Sequence, residues 1–359
     1  MNETRRAVLD AVADDPVSGP ELAAALDISR NAVWKHVEAL RTAGFEIENT
    51  SDGYLLDEIP EFGPAVEYGL DAPFEVEYHD SIGSTNDRAR ELAGENSRDV
   101  VVLADEQVGG RGRLERAWVG PSGGIWMSLV LRPTIPPAHA PLLTLAAAVA
   151  VTRAAREAGV PAEIKWPNDV LVSDEGANEG QSEQRSDDVL VSETNKNQSE
   201  SRSDDVLVSD EGAHESQSEP HPERRGGDKL CGILTEMEGE ADRVSWVIVG
   251  TGINVNIAAD DLPKGATSVQ EMVGPVNRRV FAQRVVEEFH ALRTDLDTVL
   301  PAWRELSATL GQQVRVETPE GDVVGEAVDI VTPGALVVDT DDGEVRVHAG
   351  DCDHLRPAN

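Results

Sequence analysis

The pattern of apolar residues changes twice along the chain, and each change constrains the fold. Up to Pro60 the apolar residues recur at helical spacing and then form two short runs around Ser51-Asp52-Gly53. From Pro73 to about Leu300, strand-like and helix-like stretches alternate. From Gly311 onward, about five short strand-like runs are separated by Pro-Glu-Gly, Thr-Pro-Gly and Asp-Asp-Gly turns. The chain of 359 residues is therefore expected to contain more than one domain.

The three patterns predict an α+β protein with four segments. Residues 1–60 are expected to form a winged helix-turn-helix, and residues 61–72 a Pro/Gly-punctuated linker with a short helical turn. Residues 73–305 are expected to form the central domain around a mixed sheet. Residues 306–359 are expected to form a small β-barrel.

The third predicted helix of the first domain carries its positive charge. In a winged helix-turn-helix this helix enters the major groove, and here it would present Arg30, Asn31, Lys35 and His36. Residues 1–60 nevertheless hold five basic and twelve acidic side chains, whereas a typical DNA-binding domain is basic. A structural or dimer-contact role for this domain therefore remains the alternative.

The chain is strongly acidic, with a net charge of −36 and a pI of about 4.4. Such a surface repels itself in dilute salt, and a high salt concentration screens that repulsion. We interpret the composition as an adaptation to a salt-rich cytoplasm, typical of a halophile. Cys231 and Cys352 have no metal-binding or redox-motif spacing, and Cys231 is expected to be a packing residue. No signal peptide is evident, and the apolar stretch Leu142–Val151 is too short to span a bilayer.

Glycine and arginine alternate in the densest chemical motif of the chain, EQVGGRGRLERAW at Glu106–Trp118. Glycines allow the backbone to approach a ligand closely, and backbone N–H groups and guanidinium groups bind phosphate or carboxylate oxygens. The motif is neither a Walker A loop nor a dinucleotide fingerprint. By itself it is equally consistent with an ordinary surface loop.

Three further motifs place polar groups in apolar surroundings. IKWPNDVLV puts Lys165 in an apolar strand, where a lysine needs an anionic partner; the alternative is an edge-strand lysine that reaches solvent. GSTNDRA groups Ser84, Thr85 and Asn86 at a helix start, where N-capping is the simpler interpretation. GTGINVN contributes two asparagines, of which the first is Asn254.

In this order along the chain, together with KLCGILTE, these motifs resemble those of the biotin protein ligases. A winged helix in front and a small barrel behind resemble the bifunctional subgroup, which also represses biotin operons. The resemblance covers the chain apart from one insertion. It implies a class II synthetase-like central domain and an SH3-like barrel at the C-terminus.

The resemblance implies an activity and its partners. Such enzymes activate biotin with MgATP to biotinyl-5′-AMP and then transfer biotin to a lysine of a carboxylase carrier domain. ATP, Mg²⁺ and biotin are therefore expected, with Mg²⁺ carried by ATP and no metal site in the protein. Expected partners are the biotin carboxyl carrier domain, operator DNA and a second copy of the chain, in the cytoplasm and without a membrane.

The resemblance also assigns residues. Lys165, Arg111 and Arg113 are expected to be catalytic, and Lys165 to hold the biotin carboxylate and then the phosphate ester. The residues expected to contact biotin are Ser84, Thr85, Asn86, Gln107, Arg111, Gly112, Arg113, Lys165 and Gly232. The residues expected to contact ATP or the adenylate are Arg111, Arg113, Trp118, Lys165, Asn254 and Arg356.

One residue departs from the family pattern, and two other protein classes remain open. The family loop usually runs Gly-Arg-Gly-Arg-x-Gly-Arg, whereas Glu115 occupies the sixth position here. A lipoate-type ligase shares the activation chemistry. A ligand-responsive repressor without enzyme activity is the second alternative.

A short strand-like segment occurs three times in and beside one acidic insertion. DVLVSDEG at Asp169–Gly176 recurs at Asp205–Gly212, with DVLVSETN at Asp188–Asn195 between them. Residues 173–227 hold fifteen acidic and five basic residues and no aromatic residue, so they are predicted to be largely disordered and too polar for a solenoid. We expect Asp169–Val172, which directly follows the Lys165 motif, to be the copy that joins the sheet.

Overall fold

The computed structural model describes residues 1–112, 117–173, 227–240 and 242–355. Arg113, Glu115, Arg356 and the second and third copies of the repeated segment lie outside the described residues, as does nearly all of the predicted insertion. Their predicted roles therefore stay predictions.

The N-terminal domain contains three helices and a two-stranded hairpin, as predicted. The elements are α1 (Glu3–Ala11), α2 (Gly19–Ala25), α3 (Arg30–Thr42), β1 (Glu46–Asn49) and β2 (Tyr54–Glu58). A capping box starts α2, because the Ser18 hydroxyl accepts from the Glu21 N–H while the Glu21 carboxylate accepts from the Ser18 N–H. Apolar residues from all three helices and the hairpin pack into one small core, including Leu9, Leu22, Val37 and Phe45.

The segment 61–72 is packed rather than free. It contains the expected short helical turn, over Gly63–Glu67. Phe62, Val66 and Leu70 belong to the core of the central domain, whereas Ala65 belongs to the core of the N-terminal domain. Both faces of this segment are therefore used to join the two domains.

A mixed sheet of eight strands forms the centre of the molecule. Its strands are β3 (Glu75–Ile82), β4 (Val100–Arg111), β5 (Ala117–Gly120), β6 (Ile125–Leu131), β7 (Ala162–Lys165), β8 (Asp169–Val172), β9 (Asp228–Gly239) and β10 (Val244–Ile253). The order is β3-β4-β6-β10-β9-β8-β7, with β5 paired to β4. Within the described residues β3 and β4 are parallel, and the other pairs of this sheet are antiparallel.

Helices cover both faces of this sheet. They are α4 (Thr85–Gly94), α5 (Pro141–Glu157), α6 (Val269–Val273), α7 (Arg278–Thr294) and α8 (Val299–Glu305). Helix α5 is apolar nearly all round and is buried in the main core. The helical stretch Pro137–Glu157 is long and apolar enough to cross a membrane, but 72% of its most apolar window is buried inside the protein, as expected of a core helix.

The motif AEIKWPNDVLV is two strands, not the single strand predicted from its apolar pattern. Strands β7 and β8 form a tight hairpin in which Lys165 pairs with Asp169. Trp166 anchors this turn to the C-terminal domain, because its Nε1 donates to the Gly334 carbonyl at 3.1 Å. Strand β8 also pairs with β9, so Asp169–Val172 joins the sheet, as expected.

Five strands make up the C-terminal domain, in agreement with the predicted number. They are β11 (Gln313–Thr318), β12 (Gly321–Val331), β13 (Ala335–Thr340), β14 (Gly343–Val347) and β15 (Asp351–His354), in the order β14-β13-β12-β11-β15. Within the described residues β14 and β15 are not paired with each other, so the strands form an open antiparallel sheet. The closed barrel predicted from the turn spacing is therefore not observed.

Candidate functional site

A cleft of about 500 Å³ lies over the middle strands of the central sheet. The start of α4 and the end of β4 form one wall, and β9 and β10 form the floor. Nine residues predicted for the site line this cleft: Ser84, Thr85, Asn86, Gln107, Arg111, Gly112, Trp118, Gly232 and Asn254. The fold therefore gathers four separate motifs, which span about 170 positions of the chain, around one cavity.

Polar groups at the start of α4 cap the helix and also line the cavity. The Ser84 hydroxyl caps α4 by accepting from the Asp87 N–H at 3.3 Å, so the simpler interpretation of this motif is confirmed. Gln107 Oε1 accepts from both the N–H and the hydroxyl of Thr85, at 2.8 and 3.0 Å. Hydroxyl and amide groups of fixed orientation therefore face the cavity.

The floor is a pair of glycines covered by one indole ring. Gly232 and Gly252 are directly opposite each other on β9 and β10. A Cβ atom on either glycine would lie 2.8 Å from the Trp118 ring, which is closer than real Cβ contacts. The two glycines thus make a flat seat for an aromatic ring, and Trp118 occupies it.

Lys229 lines the cleft, as Lys264 also does, and the sequence analysis did not select Lys229. Its Nζ lies 2.7 Å from Asp169 Oδ1 and 5.1 Å from the centroid of the Trp118 ring. Both partners also line the cavity. The signal was present in KLCGILTE, because this lysine precedes by three residues the glycine that was expected to approach biotin.

Lys165 lies apart from the residues that line this cavity, and its predicted role stays a prediction. Lys165 does not line the cleft, and its Nζ lies 3.9 Å from Asp353 Oδ1. The reason is its place at the end of the edge strand β7, beneath the C-terminal domain. Its strand neighbour Asp169 reaches the cavity instead.

A chain of ion pairs borders the cleft beside α4. Asp87 pairs with Arg111 and, at 2.7 Å, with Arg90. Arg90 in turn lies 2.6 Å from Glu236. Arg111 is therefore held at the mouth of the cleft by a carboxylate from the helix that carries the recognition wall.

One indole nitrogen at the cleft, Trp118 Nε1, is buried without a hydrogen-bond partner among the described residues. Buried polar atoms are usually paired, so this N–H is available to a ligand. Asn254 differs, because its amide donates to the carbonyls of Lys229 and Thr267 at 3.3 and 3.0 Å and so fixes the end of β10.

Neither cysteine takes part in this site. Both are buried and free, and burial raises the pKa of the Cys231 thiol far above its ordinary value. Burial raises the pKa of Cys352 to about 12. The thiols therefore stay protonated, which supports the packing role expected for Cys231.

The residues predicted to contact DNA lie on the outer surface of α3. Arg30, Asn31 and Lys35 are exposed and His36 is half-buried, whereas Val33, Val37 and Leu40 face the core. Trp34 is 52% exposed on the same surface and was not selected from the sequence. Helix α3 thus presents two cations, an amide and an indole to solvent.

In the part of the chain that the structure describes, no group of three or more His, Cys, Asp or Glu is placed to hold a metal ion. The acidic residues near the cleft are instead paired with basic ones, as Asp169 is with Lys229.

Family models match all three parts of the chain. Residues 78–184 match the biotin/lipoate A/B protein ligase family, residues 309–355 match the biotin protein ligase C terminal domain, and residues 5–55 match an HTH domain. Together the matches define the class: a ligase of the biotin/lipoate type with a helix-turn-helix domain.

Curated relatives narrow this class. The chain is 33% identical over 354 residues to the bifunctional ligase/repressor BirA of Bacillus subtilis, covering 93% of each protein. It is 32% identical over 288 residues to the biotin–[acetyl-CoA-carboxylase] ligase of Mycobacterium tuberculosis, covering 76% of this chain and 86% of that protein. The chain belongs to the biotin protein ligases, and its domain composition is that of the bifunctional ligase/repressors.

A solved structure agrees in fold. The biotin protein ligase from Aquifex aeolicus in complex with biotin and ATP aligns with a TM-score of 0.54 and 22% identity, covering 78% of this chain and 99% of that one. At this identity the likeness supports the fold, and the roles of individual residues must be argued from the cleft itself.

Proposed function

We propose that the protein activates biotin with MgATP to biotinyl-5′-AMP and transfers the biotinyl group to a lysine of a carboxylase carrier domain. One observation carries this proposal: the Thr85–Gln107 wall and the Lys229 ammonium line the same cleft. The wall suits a ring with N–H donors and a carbonyl acceptor. The ammonium suits a carboxylate and a phosphate.

The first step needs fixed positive charge. An oxygen of the biotin carboxylate attacks the α-phosphorus of ATP, and pyrophosphate leaves. Two anions approach each other in this step, so a preoriented cation lowers its barrier. Lys229 is held in place by Asp169, at 2.7 Å, and we assign to it the role expected of Lys165. Mg²⁺ bound to ATP supplies further positive charge.

The second step transfers the acyl group. The amine of the carrier lysine attacks the carbonyl carbon of the mixed anhydride, AMP leaves, and the amine loses a proton. Until then the anhydride must be kept from water. Trp118, seated on Gly232 and Gly252, is suited to cover it, and its buried Nε1 is free to donate a hydrogen bond. Arg111 at the mouth of the cleft is suited to the phosphate.

Biotin-dependent exchange of pyrophosphate into ATP tests this proposal. We expect exchange with biotin and none with lipoate, because a dithiolane ring has no N–H or carbonyl group for the Thr85–Gln107 wall. Exchange with lipoate alone would favour the lipoate-type alternative. Binding of biotin without any exchange would favour a repressor that lacks enzyme activity.

We further propose that the N-terminal domain binds operator DNA through α3, as a biotin-responsive repressor, and that the protein acts as a homodimer in the cytoplasm. The exposed Arg30, Asn31 and Lys35 support the DNA contact.

We also propose that the net charge of −36 is an adaptation to high salt. A melting temperature that does not rise between 0.1 and 2 M KCl would contradict that adaptation.

A further inference from the structure

Four cations of the described residues line the cleft, and Lys264 differs from the other three. Arg90, Arg111 and Lys229 are each paired with a carboxylate. Lys264 is exposed and makes no ion pair with any residue that the structure describes. In a chain with a net charge of −36, an uncompensated cation at the rim of a cleft marks a place where an anion is attracted.

The side chain of Lys264 projects from a tight turn that is docked on Lys229. A hydrogen bond of 3.1 Å from the last N–H to the first carbonyl closes the turn Pro263–Ala266, and Gly265 supplies the φ of +83° at its third position. The Lys229 N–H donates to the Gly265 carbonyl at 2.9 Å, and the Lys229 carbonyl accepts from the Thr267 N–H at 3.1 Å. The backbone of one lysine of the cleft therefore holds the turn that carries the other.

Strand β9 gives the cleft a direction. Glu236 accepts from the Asn86 amide at 2.9 Å beside the start of α4, and Lys229 lies seven residues earlier on the same strand. At about 3.3 Å per residue these two positions are about 23 Å apart. Thr85 and Gln107, which are expected to hold a ring, belong to the α4 end. The two lysines therefore belong to the opposite end of the cleft.

A substrate whose ring lies beside α4 extends its reacting carboxylate towards the lysines. In the first step of the proposed reaction, a carboxylate oxygen bonds to the α-phosphorus of ATP. The bond from this phosphorus to the bridging oxygen breaks, and pyrophosphate leaves with the electron pair. The charge that develops on pyrophosphate lies one phosphate beyond the position assigned to Lys229. An ammonium on a fixed turn beside Lys229 is suited to the oxygens of that leaving group.

We propose that Lys264 binds the β- and γ-phosphates of ATP and stabilises the departing pyrophosphate. The proposal rests on the proposed function, which supplies ATP and the reaction. Biotinyl-5′-AMP no longer carries these two phosphates, so Lys264 contributes to the binding of the nucleotide substrate and not to that of the intermediate. Lys229 serves both, because the α-phosphate is retained.

Calorimetric binding of two nucleotides to Lys264→Met tests the proposal. One is α,β-methylene-ATP, in which a methylene bridge prevents the loss of pyrophosphate. The other is biotinol-5′-AMP, a stable analogue of the intermediate that has no β- or γ-phosphate. With biotin bound, we expect the Kd for α,β-methylene-ATP to rise about tenfold, as for the loss of one hydrogen bond to a charged group. The Kd for biotinol-5′-AMP should change less than twofold.

Steady-state kinetics should show the same division. The KM for ATP and the inhibition constant of pyrophosphate should both rise in Lys264→Met, while the KM for biotin stays unchanged. Lys264→Arg keeps a cation on the turn and should restore most of the affinity for α,β-methylene-ATP. Arg346→Met is the matched control, because it removes one exposed cation that does not line the cleft and changes the net charge equally. It should leave both Kd values unchanged.

Equal weakening of both nucleotides in Lys264→Met would overturn the proposal, because the contact would then involve the adenylate itself. Unchanged binding of α,β-methylene-ATP would overturn it too, as would an equal loss in Arg346→Met, which would reflect net charge alone. The two binding measurements need no turnover. Absence of pyrophosphate exchange in the wild-type protein would therefore count against the proposed function alone.

Discussion

The ammonium of Lys229 lies 2.7 Å from Asp169 Oδ1, and the two side chains face the same cleft from neighbouring strands. The pair brings a cation to the floor of the cavity beside the glycine seat. A carboxylate partner keeps the ammonium group oriented. Binding of an anionic substrate can then use this charge without first ordering a flexible side chain.

Lys229→Met should strongly slow adenylate formation. It removes the positive charge that we assign to the meeting point of two anions, while it retains the length of the side chain. We expect a loss of about 10² to 10³ in the rate of biotin-dependent pyrophosphate exchange, the range seen when one preoriented charge-stabilising group is removed.

Lys165→Met is the matched comparison. This lysine faces Asp353 at 3.9 Å, so its loss should leave exchange within about threefold of the wild type. The pair of variants discriminates between the two lysines. A large loss in Lys165→Met with normal exchange in Lys229→Met would restore the assignment made from the sequence.

Gly252→Ala should displace Trp118 from its seat. The added Cβ would lie 2.8 Å from Trp118 Nε1, and the ring has to move because the strand backbone cannot. We expect a shift in tryptophan emission that is absent when Trp118 is replaced by Phe, together with a rise of about tenfold or more in the KM for ATP. Gly94→Ala is the control, because nothing lies within 4 Å of a Cβ at that glycine. Emission unchanged in Gly252→Ala would show that the indole does not occupy this seat in solution.

How far the sequence predicts the site depends on the type of residue. Ser84, Thr85 and Gln107 were selected because their motifs resemble those of a known family, and all three line the cleft. Lys229 lies in one of these motifs, KLCGILTE, but nothing local to it indicates that β9 pairs with β8 and brings it to Asp169.

The fold, like the site, was predicted only in part from the sequence. The order of the elements and the mixed sheet follow from the apolar pattern. The turn inside IKWPNDVLV was missed, because Trp166 and Val170 are apolar on both sides of it and the strands are only four residues long. The barrel was over-predicted, because turn spacing indicates consecutive hairpins but carries no information on whether the outer strands meet.

His354 should make the stability of the protein depend on pH. Burial lowers its pKa from 6.5 to about 4, with a further contribution from Lys165. The unfolded chain therefore binds a proton on this residue between pH 6.5 and 4 that the folded protein does not bind. Stability is fully present above pH 6.5 and is lost as the pH falls towards 4, by about 3 kcal/mol at most.

His354→Gln removes this dependence, while a glutamine can keep a partner for the Thr309 hydroxyl, 3.1 Å from His354 Nε2. The free energy of unfolding, measured from pH 7.5 to 4.5, should fall less steeply in the variant than in the wild type. Parallel curves would show that the folded histidine titrates at its ordinary pKa.

Removal of residues 174–226 should leave the ligase intact. Val172 and Asp228 are paired on β8 and β9, so the two ends of this segment are already adjacent in the sheet. Joining Ser173 to Gly227 through an Asn-Gly turn makes an ordinary hairpin. We expect pyrophosphate exchange within about twofold of the full chain, compared in the same buffer at molar salt. Lost exchange with a normal melting temperature would give the acidic segment a part in the reaction.

Charge reversal on α3 should weaken binding to operator DNA. Arg30 and Lys35 are exposed on the surface of α3, and each phosphate contact that is lost should reduce the slope of log K against log salt by about 1. Lys35→Glu is expected to lose at least tenfold in affinity at 0.1 M salt. Trp34→Ala, in contrast, should weaken binding without a change in slope, because an indole contact to bases releases no counterions.

Arg243→Glu is the control, since Arg243 pairs at the surface with Glu240, far along the sequence from α3. Equal losses in Lys35→Glu and Arg243→Glu would reflect the acidity of the whole protein rather than a contact made by α3. The twelve carboxylates of residues 1–60 oppose the approach of DNA at low salt. The contact between α3 and DNA is therefore tested by comparing the variants and not by a single affinity.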